Sequence, residues 1–103
     1  MAYQTKTEGY ELHQLKIAQF AKALAHPARI AIIELLHTNG DCFCGSIVEE
    51  LPIAQASVSQ HLKELKEAGL IDAVEIPPKV KYCINKENWE IAKNFFCHFF
   101  QEN

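Results

Sequence analysis

Two cysteines separated by one residue, Cys42 and Cys44, are candidate ligands for a soft metal ion. If this segment is extended, positions i and i+2 project to the same side and two thiols can hold one ion. The N-terminus of a following helix lowers the thiol pKa towards the thiolate that binds metals. Cys44 also lies on an apolar helical stripe with Ile47, Val48 and Leu51, which leaves a small core residue as the competing interpretation.

The other two cysteines stand alone. Strand alternation places Cys83 on the face of Lys81, which makes Cys83 an exposed candidate for thiol redox chemistry. Cys97 follows two phenylalanines, and we expect it to pack in an interface. The cysteine spacing does not resemble the disulfide framework of a small secreted domain, so reduced thiols are expected.

A second group of polar side chains belongs to a predicted helix that ends at Ala68-Gly69. Val58, Leu62 and Leu65 recur at helical spacing and define its buried side. The outward side then carries Gln55, Ser57, Ser59, Gln60 and Lys63. Glutamine can pair with adenine, serine can contact a base edge or a phosphate, and lysine can contact a phosphate. The competing interpretation is an ordinary solvated helix face.

The remaining elements follow from the same periodicities. Apolar spacing and helix-stop residues predict helices over Glu11–Leu24, Pro27–Asn39, Ser46–Leu51 and Glu87–Gln101, besides the one above. Ser46 and Glu49 form a capping pair that would open the short third helix. Alternating residues predict strands over Leu70–Ile76 and about residues 79–84, joined by Pro77-Pro78.

A short helix, a tight turn and a second helix with an outward polar face form a helix-turn-helix pattern, here over about residues 46–68. The hairpin over about residues 70–84 adds a wing. Lys79 and Lys81 share one face of that hairpin and could lie along the DNA backbone or minor groove, or remain simply solvated.

With these elements in place, the sequence resembles the ArsR (arsenic repressor) family of bacterial winged-helix regulators over Leu15–Phe99. Three segments carry the resemblance: Leu-Ala-His-Pro-Ala-Arg-Ile at 24–30, Ser-Val-Ser-Gln-His-Leu-Lys-Glu-Leu at 57–65 and Ala-Gly-Leu-Ile at 68–71. The resemblance implies a mostly α fold with a small β-hairpin and a repressor that binds double-stranded operator DNA. Some arsenic-responsive members carry Cys-x-Cys at the corresponding place, which implies As(III) or another thiophilic ion at Cys42 and Cys44 as inducer.

The chain departs from that family in two ways. The best-known arsenic pattern has a third cysteine where this chain has Ile47, so Cys83, Cys97, His98 or an outside thiol would have to complete the site. The zinc site that other relatives build on the last helix is not expected, because His98 is the only histidine there and no aspartate precedes it at suitable spacing. We expect no required cofactor.

The composition and charge of the chain limit the classes of function that we expect. With 103 residues, 49% of them hydrophobic, the chain fits one compact domain over 1–103. A net charge of -3 and a pI near 5.9 argue against coating nucleic acid by bulk charge, and residues 54–85 carry four lysines against four acids. There is no acid pair, phosphate loop or nucleophile-base motif, so we do not expect an enzyme. The absence of a long apolar run predicts a cytoplasmic protein without a membrane partner.

The first and last helices have apolar faces too wide for one small core, with Phe95, Phe96, Phe99 and Phe100 close together. Paired across a two-fold axis they would form a homodimer and place two recognition helices about 34 Å apart, one turn of DNA. The alternative is that both helices only complete the core of the monomer.

Two further residues and two further functions complete the expectations. Arg29 is a candidate for a phosphate contact or for an ion pair with an acid, and His61 is expected to be packed and hydrogen-bonded rather than a ligand. The alternatives to a metal-responsive repressor are a thiol redox or persulfide sensor and a protein-interaction module that kept the fold.

Overall fold

The computed structural model describes residues 9–101, apart from the side chain of Cys42. In this part of the chain there are five helices and three strands. They are α1 (Leu12–Ala23), α2 (Pro27–Asn39), β1 (Cys42–Phe43), α3 (Cys44–Glu50), α4 (Gln55–Glu67), β2 (Ile71–Ile76), β3 (Lys79–Ile84) and α5 (Lys86–Gln101). The predicted winged helix-turn-helix fold is confirmed. The assignment of residues 1–103 to one domain stays a prediction, because both termini lie outside the described residues.

Local signals position the helix ends. Pro27 opens α2, where its missing N–H costs nothing, and the His26 side chain accepts the Ala28 amide N–H at 3.0 Å. Gly40 ends α2 with a φ of 75°. At α5, the Asn85 side-chain oxygen accepts the Asn88 amide N–H at 2.9 Å and so satisfies an amide of the first turn.

The predicted start of the third helix is wrong by two residues. The helix α3 begins at Cys44, after Phe43 in extended conformation, and not at the capping pair of Ser46 and Glu49. Phe43 is the last residue of β1, which pairs antiparallel with β3. Since this pairing continues to the helix boundary, the chain passes directly from strand to helix.

The sheet has three strands in the order β1-β3-β2, where the sequence predicted two. The hairpin of β2 and β3 pairs Ile71 with Ile84 and Ile76 with Lys79, which leaves Pro77-Pro78 as the connection. In β1, Cys42 pairs with Tyr82. The wing is therefore attached to the segment before α3 by its inner strand.

The core lies between α2, α4 and the start of the wing. It is formed by apolar residues from six of the elements and their connections, the most deeply buried being Ile32, Ile47, Val58, Leu62, Leu65, Leu70 and Ile71. Burial of large aliphatic side chains on this scale is the dominant stabilising contribution in a domain of this size. It also fixes which side of α4 faces outward.

Candidate nucleic-acid interface

The helix α4 has one wholly buried side and one wholly exposed side. Val58, Leu62 and Leu65 are each 0% exposed. The five residues of this helix that are predicted to contact DNA are all exposed: Gln55, Ser57, Ser59, Gln60 and Lys63. The helix can therefore enter a groove without breaking any of its core contacts. Their contact with DNA stays a prediction.

One of these side chains is already oriented. The Gln60 side-chain amide donates a hydrogen bond to the Glu64 carboxylate at 3.1 Å, one helical turn away. The amide keeps a second N–H and its carbonyl oxygen for a base edge.

The two wing lysines both lean towards the β1 segment. Lys81 Nζ lies 3.5 Å from the Asp41 carboxylate, and Lys79 Nζ lies 5.3 Å from the centre of the Phe43 ring. Sequence reasoning missed both partners, because the pairing of β1 with β3 that brings them together has no signal in a two-residue strand. Lys79 is exposed and Lys81 is half-buried, so the two differ in their availability to DNA.

Among the described residues Arg29 forms no ion pair with an acid, and its contact with a phosphate stays a prediction. Its Nε donates to Nδ1 of His61 at 3.0 Å, and its terminal nitrogen donates to the carbonyl oxygens of Lys22 and Ala23 at 3.3 Å and 3.2 Å. The C-terminal carbonyl oxygens of α1, which carry the negative end of the helix dipole, attract the guanidinium at this position.

His61 is packed and hydrogen-bonded, as expected. Its ring centre lies 4.3 Å from that of His26, and it accepts the hydrogen bond from Arg29. Burial lowers the pKa of His61, electrostatic interactions with His26 and Arg29 lower it further, and Glu64 partly opposes them. The neutral imidazole is thus the form that this packing favours.

The structure divides the predicted cysteine pair between two elements. The backbone of Cys42 lies in β1, whereas Cys44 is the first residue of α3. The backbone is extended as far as Phe43 and becomes helical at Cys44. Joint binding of an ion by the two thiols stays a prediction. Cys44 is half-buried against the core, in agreement with the competing interpretation of a small core residue. The side chain of Cys42 lies outside the described residues.

The other candidate ligands are dispersed. Within the part of the chain that the structure describes, no three His, Cys, Asp or Glu side chains are grouped so as to hold a metal ion. Cys83 is half-buried rather than exposed, and burial raises its pKa, as do the charges of Asp41 and Asp72. Lys81 and a hydrogen bond with the Asp72 backbone oppose this rise with smaller effects. This environment disfavours the thiolate, and the expected exposure of Cys83 is wrong. A redox role of Cys83 stays a prediction. Cys97 is exposed in the protomer.

The first and last helices leave apolar surface uncovered. A groove of about 960 Å³ runs between α1 and α5, lined by Ile17, Ile91, Phe95 and Phe99 together with His13, Asn94 and His98. Phe100 is 70% exposed and Leu12 72%. Trp89 packs on the core with its ring 4.7 Å from that of His37. One side of α5 completes the core, and residues 9–101 leave much of its other side exposed.

No helix among the described residues is long and apolar enough to cross a membrane. Residues 24–74 match a family model described as a helix-turn-helix domain. The chain is 31% identical over 84 residues to the HTH-type transcriptional regulator YgaV of Escherichia coli K12, covering 78% of this chain and 85% of that protein. It is 42% identical over 59 residues to an uncharacterised HTH-type transcriptional regulator of Methanocaldococcus jannaschii, covering 56% of this chain and 65% of the relative.

Solved structures share the fold. A possible transcriptional regulator for arsenical resistance superposes with a TM-score of 0.71 at 25% identity, over 77% of this chain and 81% of that one. An ArsR-like transcriptional regulator from Rhodococcus sp. RHA1 superposes with a TM-score of 0.73 at 20% identity, over 86% and 83% of the two chains. The relatives are regulators of transcription rather than enzymes.

Proposed function

Because the chain belongs to the ArsR family of winged helix-turn-helix transcriptional regulators, we propose that it is a repressor that binds a palindromic operator as a homodimer. The observation that carries this proposal is the two-sided burial of α4. Its three apolar anchors are 0% exposed, while its serine and glutamine side is open to solvent from the first turn onward. That geometry suits a recognition helix in the major groove.

The exposed residues of α4 would have two roles in DNA binding. Its N-terminal part, with Gln55, Ser57, Ser59 and Gln60, would contact base edges, because recognition helices meet bases through their first turns. Lys63, further along, would contact a phosphate and contribute affinity without sequence preference. Lys79 would extend the phosphate contacts along the wing, and Lys81 would do so after separating from Asp41.

The homodimer would form through α1 and α5. An apolar surface is formed by the exposed Phe99 and Phe100 and the groove beside them. Exposure of such a surface to water is unfavourable in a monomer, and its burial would favour dimerisation. A two-fold axis through this surface would present two copies of α4 to successive major grooves, about 34 Å apart.

An inducer would act at the segment of Cys42 and Cys44. Arsenite or another thiophilic ion bound there, with an outside thiol as further ligand, would weaken operator binding. Two placements support this coupling: α3 begins at Cys44 and packs on α4, and Cys42 pairs with Tyr82 in the wing. A change in this segment would reach both DNA-contacting elements, and by linkage DNA would weaken ion binding by the same factor.

The test of DNA recognition is footprinting and fluorescence anisotropy on DNA upstream of the protein's own gene. We expect one protected palindrome, strong loss of specific affinity in Gln60→Ala, and no loss in the control Glu90→Gln on the exposed side of α5. Lys63→Gln should weaken binding to all sequences and reduce the salt slope by about one ion. No retention on DNA at any salt concentration would instead favour a protein-interaction module.

The test of the inducer is operator affinity with arsenite, cadmium and zinc for wild type, Cys42→Ser and Cys44→Ser. Release of wild type but not of the variants supports the thiol site. Unchanged affinity with every ion rejects it, and release by peroxide or polysulfide alone would favour the redox sensor.

A further inference from the structure

A polar bridge connects three helices at the back of α4. We define the Arg29 bridge as the Arg29 guanidinium together with Nδ1 of His61 and the carbonyl oxygens of Lys22 and Ala23. The acceptors belong to α4 and to the C-terminal end of α1, and Arg29 itself stands in the first turn of α2. The Arg29 guanidinium thus connects α4, the proposed recognition helix, to α1, which is proposed to form the dimer.

The Arg29 bridge lies beside a gap between α1 and α4. This gap is an open surface depression of about 180 Å³ between α1 and the C-terminal end of α4, lined by Lys22 and Ala23 on one side and by Glu64 and Ala68 on the other. Below the depression Ala23 belongs to the common core, but at the surface side-chain packing leaves the two helices apart. The Arg29 bridge crosses the junction with directional hydrogen bonds instead, and a guanidinium holds its donors in one rigid plane.

We propose that Arg29 is a positioning residue for operator binding, which through His61 fixes the orientation of α4 relative to the end of α1. This inference rests on the proposed function. In a dimer joined through α1, the orientation of α4 on α1 sets the distance between the two recognition helices. A small rotation at the bridge would move both copies away from successive grooves without unfolding either protomer.

The bridge makes operator binding dependent on the protonation state of His61. Arg29 Nε–H can donate to Nδ1 only while that nitrogen carries no proton, so the neutral imidazole is required. The charged and titratable groups acting on His61 are His26 and Arg29 from the start of α2 and Glu64 on α4 itself. A protonated His61 would lose the acceptor and face the guanidinium as a second cation.

The direction in which operator affinity changes on acidification distinguishes opening of the Arg29 bridge from the general effect of histidine protonation. The chain has five histidines, and their protonation makes the protein more positive, which by itself strengthens binding to DNA. Opening of the Arg29 bridge acts in the opposite direction. Comparison of wild type with a variant that keeps the bridge but cannot titrate isolates the contribution of His61, because the other histidines are common to both.

The experiment measures operator affinity between about pH 7.5 and about pH 5 at constant salt. Because burial lowers the pKa of His61, its protonation belongs to the acidic part of this interval. His61→Asn places an amide oxygen near the position of Nδ1, where it accepts from Arg29 at every pH. Arg29→Lys keeps the positive charge but replaces the planar fork by a single ammonium group. Lys16→Gln, an exposed position on α1, controls for loss of a cation. Thermal unfolding of each variant confirms folding at both pH values.

We expect wild type and His61→Asn to bind alike at the higher pH, and wild type to become about ten-fold weaker relative to His61→Asn at the lower pH, the size of one charge-assisted hydrogen bond. Arg29→Lys should be weak at both pH values and Lys16→Gln should follow wild type. A constant affinity ratio of wild type to His61→Asn, or normal affinity of folded Arg29→Lys, overturns the proposal.

Nitrogen NMR separates this proposal from the proposed function. Without DNA, we expect a protected Arg29 Nε–H signal and a His61 imidazole protonated on Nε2 alone, both lost on acidification. Their absence at neutral pH overturns the Arg29 bridge. Failure of the wild type to bind any operator, with both signals present, overturns the proposed function instead.

Discussion

The Asp41 carboxylate lies 3.5 Å from the ammonium group of Lys81, so one of the two wing lysines is engaged by an acid that precedes β1. Both groups are partly exposed, with 31% of the lysine side chain and 52% of the aspartate side chain accessible, and such a pair contributes little to stability. Its larger consequence concerns DNA, because Asp41 cancels a positive charge on the predicted wing contact.

Removal of that acid should strengthen operator binding. We expect Asp41→Asn to bind a few-fold more tightly and to steepen the dependence of log affinity on log salt by about 0.9, the value for one additional phosphate contact. Titrations at four salt concentrations measure both quantities. Glu90→Gln removes an acid on α5 and serves as the control; equal slopes for Asp41→Asn and wild type would contradict a phosphate contact by Lys81.

Gly69 should tolerate no side chain. Its φ is +86°, and a Cβ there would lie 2.9 Å from Nδ2 of Asn88, which donates to the Gly69 carbonyl oxygen. Gly69→Ala should therefore lower the free energy of unfolding by about 1–3 kcal/mol, by backbone strain and displacement of Asn88. Urea denaturation measures the change.

The matched control is Gly45→Ala, in α3, where nothing lies within 4 Å of the new Cβ. This substitution should raise the free energy of unfolding by about 0.5–1 kcal/mol, because alanine favours the helix. Destabilisation by Gly45→Ala equal to that by Gly69→Ala would contradict the argument from conformation.

Leu62 anchors α4 in the core and is 0% exposed. Truncation to alanine should cost about 2–5 kcal/mol of unfolding free energy through lost burial and an unfilled cavity. Val74→Ala on the wing, where the side chain is 46% exposed, should cost less than about 1 kcal/mol. Chemical denaturation of both variants ranks the two sites, and comparable losses would show that α4 is not anchored by this side.

Cys83 should react slowly with alkylating agents. Burial and the carboxylates of Asp41 and Asp72 raise its pKa above the ordinary thiol value, so little thiolate is present at mildly alkaline pH. Mass spectrometry after iodoacetamide treatment should show slower labelling of Cys83 in the native protein than in urea. Asp41→Asn should accelerate native labelling.

Glu75→Gln, an exposed change on β2, serves as the control for that acceleration. Equal labelling rates of Cys83 in native and unfolded protein would contradict the raised pKa.

Periodicity alone determined the order of the five helices and the hairpin, and it separated the buried from the exposed residues of α4. These features follow from local rules: an apolar residue every three or four positions must face one core, and Gly40 and Gly69 must end helices. The amino-acid order of α4 is therefore sufficient to identify the side of this helix that is open to DNA.

Only the tertiary structure decided the polar connections. Strand β1 has two residues and no periodic signal, yet its pairing with β3 moves the start of α3 to Cys44 and brings Asp41 to Lys81. Arg29 and His61 are 32 positions apart in sequence, and their hydrogen bond exists because α2 and α4 pack against the same core. Such contacts depend on distances between elements, which a one-dimensional pattern does not contain.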